Sequence, residues 1–241
     1  MHGLQEIIFL VIPCYNEEKR LDMNKFLSSG HNVFFLFVDD GSNDSTAEVI
    51  RRHLSQRVHI LSLDKNYGKQ EAVRQGMLHL KTMPFWKDVS WAGFWDADLA
   101  TPLEELNDFM GYQKALYPDC SAVLGSRVLR LGSVIKRFAF RHYCGRFFAT
   151  MVGVVLKIKV YDSQCGAKIF RKEVIDICFK DRFIVKWLFD LEIILRLLKQ
   201  GSGVVEYPLR LWQDVAGSKF SLFKEIIPSF LELFKLKAKY K

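Results

Sequence analysis

The chain has 241 residues, of which 49% are hydrophobic and 26% are charged. This composition supports a packed core beneath a charged surface, excludes global disorder, and favours one α/β domain with a C-terminal appendage. The net charge of +8 is compatible with an anionic membrane surface or phosphorylated substrates as partners, whereas nucleic acid is not expected because no zinc-finger, helix-turn-helix or RNA-recognition signature is present.

The first 125 residues alternate short apolar runs with amphipathic segments, which is typical of βαβ units and a mostly parallel sheet. The pattern predicts strands at 7–12, 33–38, 58–63, 91–95 and 122–125, and helices near 17–27, 45–54, 69–80 and 102–117. Two helix starts carry local signals. Ser45-x-x-Glu48 fits a capping box, and Thr101-Pro102 supplies an N-cap followed by a proline at the first helical position.

The character of the sequence changes after residue 127. A basic, aromatic stretch to 159 precedes an irregular segment at 162–168, an apolar helix near 188–198 and a strand at 203–211. We expect residues 1–219 to form the domain and 220–241 to form an amphipathic, basic helix. Such a helix suits an anionic membrane surface. Alternatively it packs on the domain's own core, or on a second subunit in a homodimer.

Cysteine usage and hydropathy favour a cytoplasmic chain. The five cysteines are odd in number, widely spaced and form no Cys-x-x-Cys pair, which is typical of reduced thiols. A helix that spans a bilayer needs roughly 20 mainly apolar residues, and the best candidate, 147–156, is bounded by Arg146 and Lys157. We therefore expect no transmembrane segment.

Polar clusters follow four of the predicted strands, at 13–17, 39–44, 64–69 and 96–98. In an open α/β sheet, ligands bind beyond the carboxyl ends of the strands, so we expect these clusters to meet at one rim. Asp39-Asp40-Gly41-Ser42 suits hydrogen bonds to the base and ribose of a nucleotide, or alternatively a turn with a helix cap. Asn66-x-Gly68-Lys69 suits a phosphate cradle, or alternatively a loop that starts a helix.

Two carboxylates, Asp96 and Asp98, follow the strand predicted at 91–95. Without a cation they would be an unfavourable end to a hydrophobic segment, and Mg²⁺ or Mn²⁺ bridging a diphosphate suits their oxygen ligands. Such a metal acts as a Lewis acid for a departing nucleoside diphosphate. The pair therefore predicts a metal-dependent transfer site.

The order of these motifs resembles that of family 2 glycosyltransferases with the GT-A fold, a Rossmann-like α/β fold. Within the family the resemblance is greatest to dolichyl-phosphate and polyprenyl-phosphate sugar synthases, the β-glucosyltransferase type above all. It covers roughly residues 7–219 and extends to Gly125-Ser126-Arg127, Asp162-Ser163-Gln164-Cys165-Gly166-Ala167-Lys168, Phe189-Asp190-Leu191-Glu192 and Gly217-Ser218-Lys219. The chain departs from the family pattern at Gln70, where a glycine is common, and in the expected lack of a membrane helix.

The resemblance implies roles for the residues of the rim. The nucleotide would be held by Pro13, Tyr15, Glu17, Asp39 and Asp40, with Lys69 nearby, and the metal by Asp96 and Asp98. Inverting displacement at the sugar carbon needs no covalent intermediate, so Cys165 is not expected to act as a nucleophile.

The acceptor implied by the resemblance is a lipid phosphate. A phosphate monoester has a second pKa near ~6, so at neutral pH it can attack a sugar carbon without a dedicated general base. The site then needs positive charge to hold the acceptor, which guanidinium groups supply. The resemblance favours Arg127 with Arg137 or Arg141, and adds Gln164 and Lys219 as further contacts. The alternative is a solvated basic face.

Asp190 and Glu192 begin an apolar helix, and their spacing keeps them off a common helical face. One of them could instead cap the helix or pair with Arg196. In family 2 enzymes that act on hydroxyl acceptors, an Asp at a comparable place is the general base. Here we interpret Asp190 as lining the donor-sugar pocket, which makes the predicted catalytic set Asp98, Arg127, Arg137 and Asp190.

The sequence thus predicts a metal-dependent inverting transferase that moves a hexose to dolichyl or polyprenyl phosphate at the cytoplasmic face of a membrane. UDP-glucose is the first choice of donor. The alternatives are a GDP-mannose-dependent polyprenyl-phosphate mannosyltransferase, a soluble family 2 enzyme acting on a hydroxyl, and a nucleotide-binding module without turnover. Intact Asp96, Asp98 and Lys69 argue against the last of these.

Overall fold

A computed structural model describes residues 6–30, 32–136, 139–215 and 222–240. The chain divides into two compact units. Unit 1 consists of Met1–Leu99 and Gly166–Arg182, and unit 2 of Ala100–Cys165 and Phe183–Lys241. The domain boundary predicted between 219 and 220 lies outside the described residues and stays a prediction.

Helices and strands alternate along most of the chain. The strands are β1 (Ile7–Cys14), β2 (Val33–Asp39), β3 (Val58–Ser62), β4 (Val89–Trp95), β5 (Ala122–Ser126), β6 (Val134–Lys136), β7 (Ala167–Arg171), β8 (Val204–Pro208) and β9 (Leu211–Gln213). The α-helices are α1 (Met23–Leu27), α2 (Thr46–Arg51), α3 (Lys69–Leu80), α4 (Glu105–Leu116), α5 (Ala139–Leu156), α6 (Ile175–Phe179), α7 (Phe189–Lys199) and α8 (Leu222–Tyr240). Short 3₁₀ helices cover Pro84–Asp88 and Lys172–Val174.

Unit 1 is built on a mostly parallel sheet with the strand order β3-β2-β1-β4-β7. β1 pairs in parallel with β2 and β4, β2 pairs in parallel with β3, and β7 is antiparallel to β4. Helix α3 lies against β1 and β2 at close range, since a Cβ on Gly76 would be 2.5 Å from Val11 Cγ1. The α/β fold with a mostly parallel sheet and flanking helices is confirmed, and it brings the carboxyl ends of β1 to β4 to one edge.

Strand β7 begins at the end of the segment 162–168, which the sequence predicted to be irregular, and continues to Arg171. The first four residues of β7 are buried, and they include Lys168, which is fully buried with Nζ 5.3 Å from the ring centroid of Phe94. β7 lies close against β4, because a Cβ on Gly93 would be 2.2 Å from the Lys168 carbonyl oxygen. A buried lysine in so short a strand interrupts the apolar pattern that identifies buried strands.

Two predicted helix starts are wrong, and a third helix begins within one residue of its predicted start but has a different cap. The helix predicted from 17 begins at Met23, because Asn16 takes a left-handed φ of 54° and a turn follows. At α2, Asp44 rather than a Ser45–Glu48 box supplies the cap, since Thr46 N donates to Asp44 Oδ1 at 3.0 Å. The helix predicted from 102 begins at Glu105.

Unit 2 holds a second hydrophobic cluster, around helices α5, α7 and α8. Leu191, Leu233 and Leu236 are fully buried in it, packed with Val152 and Leu156. β5 pairs in parallel with β8, and β6 with β9. The C-terminal helix is therefore present and packs on the core of its own unit. Across the described ranges, the helices all fall short of the length and apolarity needed to cross a membrane.

Candidate active site

In unit 1 the loops after β1 and β2 are tied together by side chains. Asn16 N donates to Ser42 Oγ at 3.0 Å, and Asn43 N donates to Asn16 Oδ1 at 2.9 Å. Glu17 N donates to Thr46 Oγ1 at 2.8 Å. Asn tolerates the left-handed conformation at position 16 better than most residues. These bonds place the predicted nucleotide contacts of both loops, Pro13 to Glu17 and Asp39 to Asp40, side by side.

The loop after β3 is held by Asp40. The buried carboxylate of Asp40 accepts hydrogen bonds from Tyr67 N and Gly68 N, both at 2.8 Å. The neighbouring Asp39 accepts one from Ser42 N at 3.1 Å. This geometry favours an indirect role for Asp40, as support for the loop that leads into Lys69. The direct nucleotide contact implied by the resemblance stays a prediction.

The loop after β4 completes the rim. Lys69 Nζ lies 2.5 Å from Asp96 Oδ1, and both side chains are partly exposed. Asp96 N donates to the carbonyl oxygen of Gly166 at 3.1 Å, and a Cβ on Gly166 would lie 1.8 Å from Asp96 Oδ2. Leu99, which closes this turn, has a φ of 50°. The four predicted polar clusters thus meet at one rim of unit 1.

Asp96 and Asp98 fit a divalent metal in their donor chemistry. Both follow a buried strand and both are partly exposed, and the Lys69 ammonium shows that the Asp96 carboxylate accepts a cation. Mg²⁺ is commonly held by one or two carboxylates together with substrate phosphates and water. In the part of the chain that the structure describes, no three His, Cys, Asp or Glu side chains come together as a metal site.

In unit 2, Arg127 forms a bidentate ion pair with Asp162. Arg127 Nε and Nη2 lie 2.6 and 2.8 Å from the two carboxylate oxygens, and both side chains are only 11% exposed. Glu206 holds the opposite side, accepting from Tyr161 N at 2.7 Å and Asp162 N at 2.8 Å. Arg127 also stacks over the Trp212 ring at 5.3 Å. The guanidinium of Arg127 therefore supports the local structure, and its predicted contact with an acceptor phosphate stays a prediction.

Two buried polar atoms adjoin this ion pair in the sequence. Ser126 Oγ and Gln164 Nε2 have no hydrogen-bond partner among the described residues. The backbone of Gln164 is held by the Asp162 carboxylate, since Gln164 N donates to Asp162 Oδ1 at 3.2 Å. A buried unpaired donor is costly, so these two groups are candidate ligand contacts. Arg137 and Lys219, as well as the side chain of Arg141, lie outside the described residues and stay predictions.

Helix α7 buries both of its first-turn acids, Asp190 and Glu192. Glu192 is paired, as one alternative predicted: its carboxylate accepts from Arg196 Nη2 at 2.8 Å, Tyr240 OH at 2.9 Å and Ile184 N at 2.9 Å. Glu192 is therefore structural, which leaves Asp190 as the acid of α7 for which a functional role is predicted.

The cysteine of the 162–168 motif is inaccessible. Cys165 is fully buried, with Sγ 4.0 Å from Thr101 Oγ1. In unit 1, burial, with smaller contributions from Glu17 and Asp39, raises the pKa of the Cys14 thiol well above its ordinary value. Both thiols behave as small buried apolar groups in this structure.

A mostly parallel α/β fold with an acidic rim and a lysine at the start of α3 is the arrangement expected of a nucleotide-binding transferase. The family model "Glycosyl transferase family 2" matches residues 9–178. The chain belongs to this family, and it is a nucleotide-sugar-dependent glycosyltransferase.

Curated relatives align with nearly the whole chain. Dolichyl-phosphate beta-glucosyltransferase of Dictyostelium discoideum is 30% identical over 96% of this chain and 74% of its own length. The enzymes of the same name from Saccharomyces cerevisiae and Homo sapiens are 29% and 28% identical, over 99% and 96% of this chain and 77% and 75% of their own lengths.

Solved structures share the fold. Glucosyl-3-phosphoglycerate synthase from Mycobacterium tuberculosis in complex with uridine-diphosphate has a TM-score of 0.66 at 14% identity, over 97% of this chain and 80% of its own. A complex of that enzyme with Mn²⁺, UDP-glucose and phosphoglyceric acid also has a TM-score of 0.66. S. aureus TarS 1-349 has a TM-score of 0.61 at 15% identity, over 97% of this chain and 65% of its own. The GT-A fold expected from the sequence is thereby confirmed.

The polar clusters of the unit 1 rim were predictable from the sequence, but several acidic residues that organise the loops of unit 2 were not. Glu206 and Glu232 each accept two or more backbone N–H groups, yet neither lies in a recognisable motif. Asp162 belongs to the 162–168 motif, but no role was predicted for it. Local sequence carries little signal for such residues, because they hold backbone N–H groups that lie 35 or more positions away, such as those of Arg127, Tyr161 and Lys186.

Proposed function

We propose that this protein transfers glucose from UDP-glucose to dolichyl or polyprenyl phosphate, with inversion and with Mg²⁺ or Mn²⁺. The observation that carries the proposal is the rim of unit 1, where Lys69 and Asp96 meet beside Asp98. The choice of substrates is supported by the names of relatives that align with 96% or more of the chain.

The residues of the rim would hold the donor. Tyr15, Glu17 and Asp39 would contact the nucleotide, and Asp40 would keep the Tyr67–Gly68 loop in place. Asp96 and Asp98 would hold the metal, which supplies Lewis-acid stabilisation of the departing UDP diphosphate when bound. Lys69 would add a fixed positive charge beside that diphosphate.

The acceptor phosphate would be its own nucleophile. One of its oxygens forms the bond to the anomeric carbon as the bond between that carbon and the UDP oxygen breaks, so the products are UDP and a lipid-linked glucosyl phosphate. No proton has to be removed, because the monoester is already ionised near neutral pH. Asp190 would line the sugar pocket, while Arg127, Arg137, Arg141, Gln164 and Lys219 would hold the acceptor.

We further propose peripheral attachment to the cytoplasmic face of an anionic membrane through unit 2. Helices α5 and α8 pack together through Phe148 and Phe230, whose ring centroids are 5.8 Å apart. Large side chains on both helices are exposed, namely Tyr143, Phe147, Leu231 and Phe234. Exposed lysines accompany them on α8 at positions 235, 237 and 239. Apolar side chains beside cations suit an interface with anionic lipids.

A donor and acceptor screen tests the proposal. Purified protein with Mn²⁺ or Mg²⁺ is offered UDP-glucose or GDP-mannose, together with a short prenyl phosphate or a free glycan. We expect transfer from UDP-glucose to the prenyl phosphate, and loss of transfer in chelator. Transfer from GDP-mannose and not from UDP-glucose would identify the enzyme as a mannosyltransferase. Transfer only to a glycan hydroxyl, abolished by Asp190→Asn, would instead identify Asp190 as a general base.

A further inference from the structure

We propose, building on the proposed function of Asp190, that Glu232 of helix α8 is a positioning residue for the transfer reaction. Its carboxylate holds the segment that leads into α7, the helix that carries Asp190. The C-terminal helix would then be part of the catalytic structure as well as a membrane contact.

The contacts of Glu232 concentrate on one short segment. Oε1 accepts from Lys186 N at 2.9 Å, and Oε2 accepts from Trp187 N and Leu188 N, also at 2.9 Å. Glu232 is 9% exposed, so these three charge-assisted bonds are shielded from water.

The start of α7 needs such a partner. The first N–H groups of a helix have no acceptor within the helix, and the N-cap residue of α7 is Leu188, whose side chain has no acceptor atom. A carboxylate at a helix N-terminus also interacts favourably with the helix dipole. Glu232 accepts from the N–H of this N-cap residue and from the two N–H groups before it, so it caps the segment 186–188 that leads into α7.

Asp190 follows the capped segment directly. It lies two residues after Leu188, in the first turn of α7, and is 4% exposed. Leu188 and Leu191 are buried in the same cluster as Leu233 and Leu236 of α8. A shift of the capped segment would move Asp190 with it, and a misplacement of about 1 Å can slow a reaction by ~100-fold.

Helix α8 offers a matched control at its other end. Tyr240 OH donates to Glu192 Oε1 at 2.9 Å, but Glu192 also accepts from Arg196 and Ile184. The Tyr240 hydroxyl also accepts a hydrogen bond from Arg196 Nε at 3.3 Å. Tyr240→Phe therefore removes two hydrogen bonds between α7 and α8, while it leaves the contacts of Glu232 with 186–188 intact.

The test compares Glu232→Ala, Glu232→Gln and Tyr240→Phe in the full chain, at a temperature below all their Tm values. With UDP-glucose and a short prenyl phosphate we expect kcat of Glu232→Ala to fall about 10- to 100-fold. Glu232→Gln keeps one carbonyl acceptor and should recover part of that loss. Tyr240→Phe should keep kcat within about twofold, and UDP affinity should be unchanged in all three.

Wild-type kcat in Glu232→Ala, or an equal loss in Tyr240→Phe, would overturn the proposal. If Glu232→Ala does not fold, Glu232→Gln provides the test. Faster amide hydrogen exchange at 186–188 together with a lower kcat would support the positioning role of Glu232. Faster exchange with an unchanged kcat would refute it. A wild-type enzyme that uses a hydroxyl acceptor would refute the proposed function instead. The same kcat ratios, measured on that acceptor, would still test Glu232.

Discussion

Gly166 shows how one missing side chain shapes the rim of unit 1. A Cβ there would lie 1.8 Å from Asp96 Oδ2 and 2.2 Å from Asp96 Cγ, so the carboxylate can take its position only beside a glycine. A flexible side chain can move away from such a contact, but Asp96 would then leave the place where Lys69 and the proposed metal meet it.

We therefore expect Gly166→Ala to reduce Mn²⁺ affinity and transfer by about 10- to 100-fold, as changes around metal ligands commonly do. Calorimetry with Mn²⁺ in the presence of UDP measures the first effect, and a transfer assay measures the second. Gly111→Ala is the control, because nothing lies within 4 Å of a Cβ at that position. Wild-type Mn²⁺ affinity in Gly166→Ala would show that Asp96 does not hold the metal.

Asp40 is the second residue whose contacts define a test. Removing its carboxylate leaves the Tyr67 and Gly68 N–H groups without their acceptors, at a cost of about 1–3 kcal/mol. The loop that leads into Lys69 would then be free to shift, so we expect Asp40→Ala to weaken UDP binding by roughly tenfold or more.

For Asp40→Ala, calorimetry should show weaker binding of UDP, and denaturant unfolding should show a lower free energy of unfolding. The dependence of transfer on Mn²⁺ should persist. Asp22→Ala is a suitable control, because its carboxylate also accepts a backbone N–H, from Asn24 at 3.2 Å, but in an exposed position at the start of α1. Unchanged UDP affinity in Asp40→Ala would mean that the loop does not need this support.

At the level of elements, the predictable features were those that depend on local pattern. β1, β2 and β4 are nearly continuous apolar runs, which strand prediction recognises, and α3 was predicted with the bounds that it has. Helix starts were harder, because a cap depends on which acceptor lies near the free N–H groups. Asp44 and Ser45 are both good cap residues. The Asp44 carboxylate bonds Thr46 N locally and also accepts from Glu18 N of the β1 loop, a tertiary contact that local pattern does not reveal.

Helix α8 was open to two interpretations: its packing on the core of unit 2 is present in the structure, and its contact with a membrane stays a prediction for the exposed face. Leu233 and Leu236 are fully buried in unit 2, whereas Leu231 and Phe234 are 64% and 55% exposed. Removing the whole helix would expose the unit 2 core, so loss of activity in a truncated chain would say nothing about membranes. Substitutions on the exposed face separate the two functions.

We expect the double variant Leu231→Ser with Phe234→Ser to lose vesicle binding but keep transfer to a short, soluble prenyl phosphate. Each large apolar side chain contributes about 1.5–3 kcal/mol when buried in an apolar phase, so the loss of affinity should exceed tenfold. Sedimentation with anionic vesicles measures it, and Leu116→Ser, which changes an exposed leucine of α4, is the control. A change from dimer to monomer in the double variant would identify the exposed face as a subunit contact instead.

At the scale of the whole molecule, the predicted site residues fall into two groups. The nucleotide and metal residues lie in unit 1, and the described acceptor residues and Asp190 lie in unit 2. The first group was predictable because parallel strands end at one edge of a sheet. The partners that fix the second group, such as Glu206 for Asp162 and Glu232 for the start of α7, lie 44 or more positions away, and only the folded chain brings them together.

This division predicts that substitutions in unit 2 should change the use of the acceptor without changing UDP affinity. Gln164→Ala is the sharpest case, because Gln164 Nε2 is buried without a hydrogen-bond partner among the described residues. Removing an unpaired buried donor should leave the Tm unchanged or raise it. If Nε2 binds the acceptor phosphate, the same change should cost about 1.5–3 kcal/mol of binding, which raises the KM for prenyl phosphate roughly tenfold or more.

Arg127→Ala should behave differently, because it leaves the buried Asp162 carboxylate without its partner and lowers the Tm. Asp162→Asn is its matched variant. If Arg127 only supports the loop, the two changes should have equal effects on KM and Tm. If Arg127 also binds the acceptor, Arg127→Ala alone should abolish the competition between inorganic phosphate and prenyl phosphate. A Gln164→Ala enzyme with an unchanged KM, and an Arg127→Ala enzyme still inhibited by phosphate, would together exclude this part of unit 2 as the acceptor site.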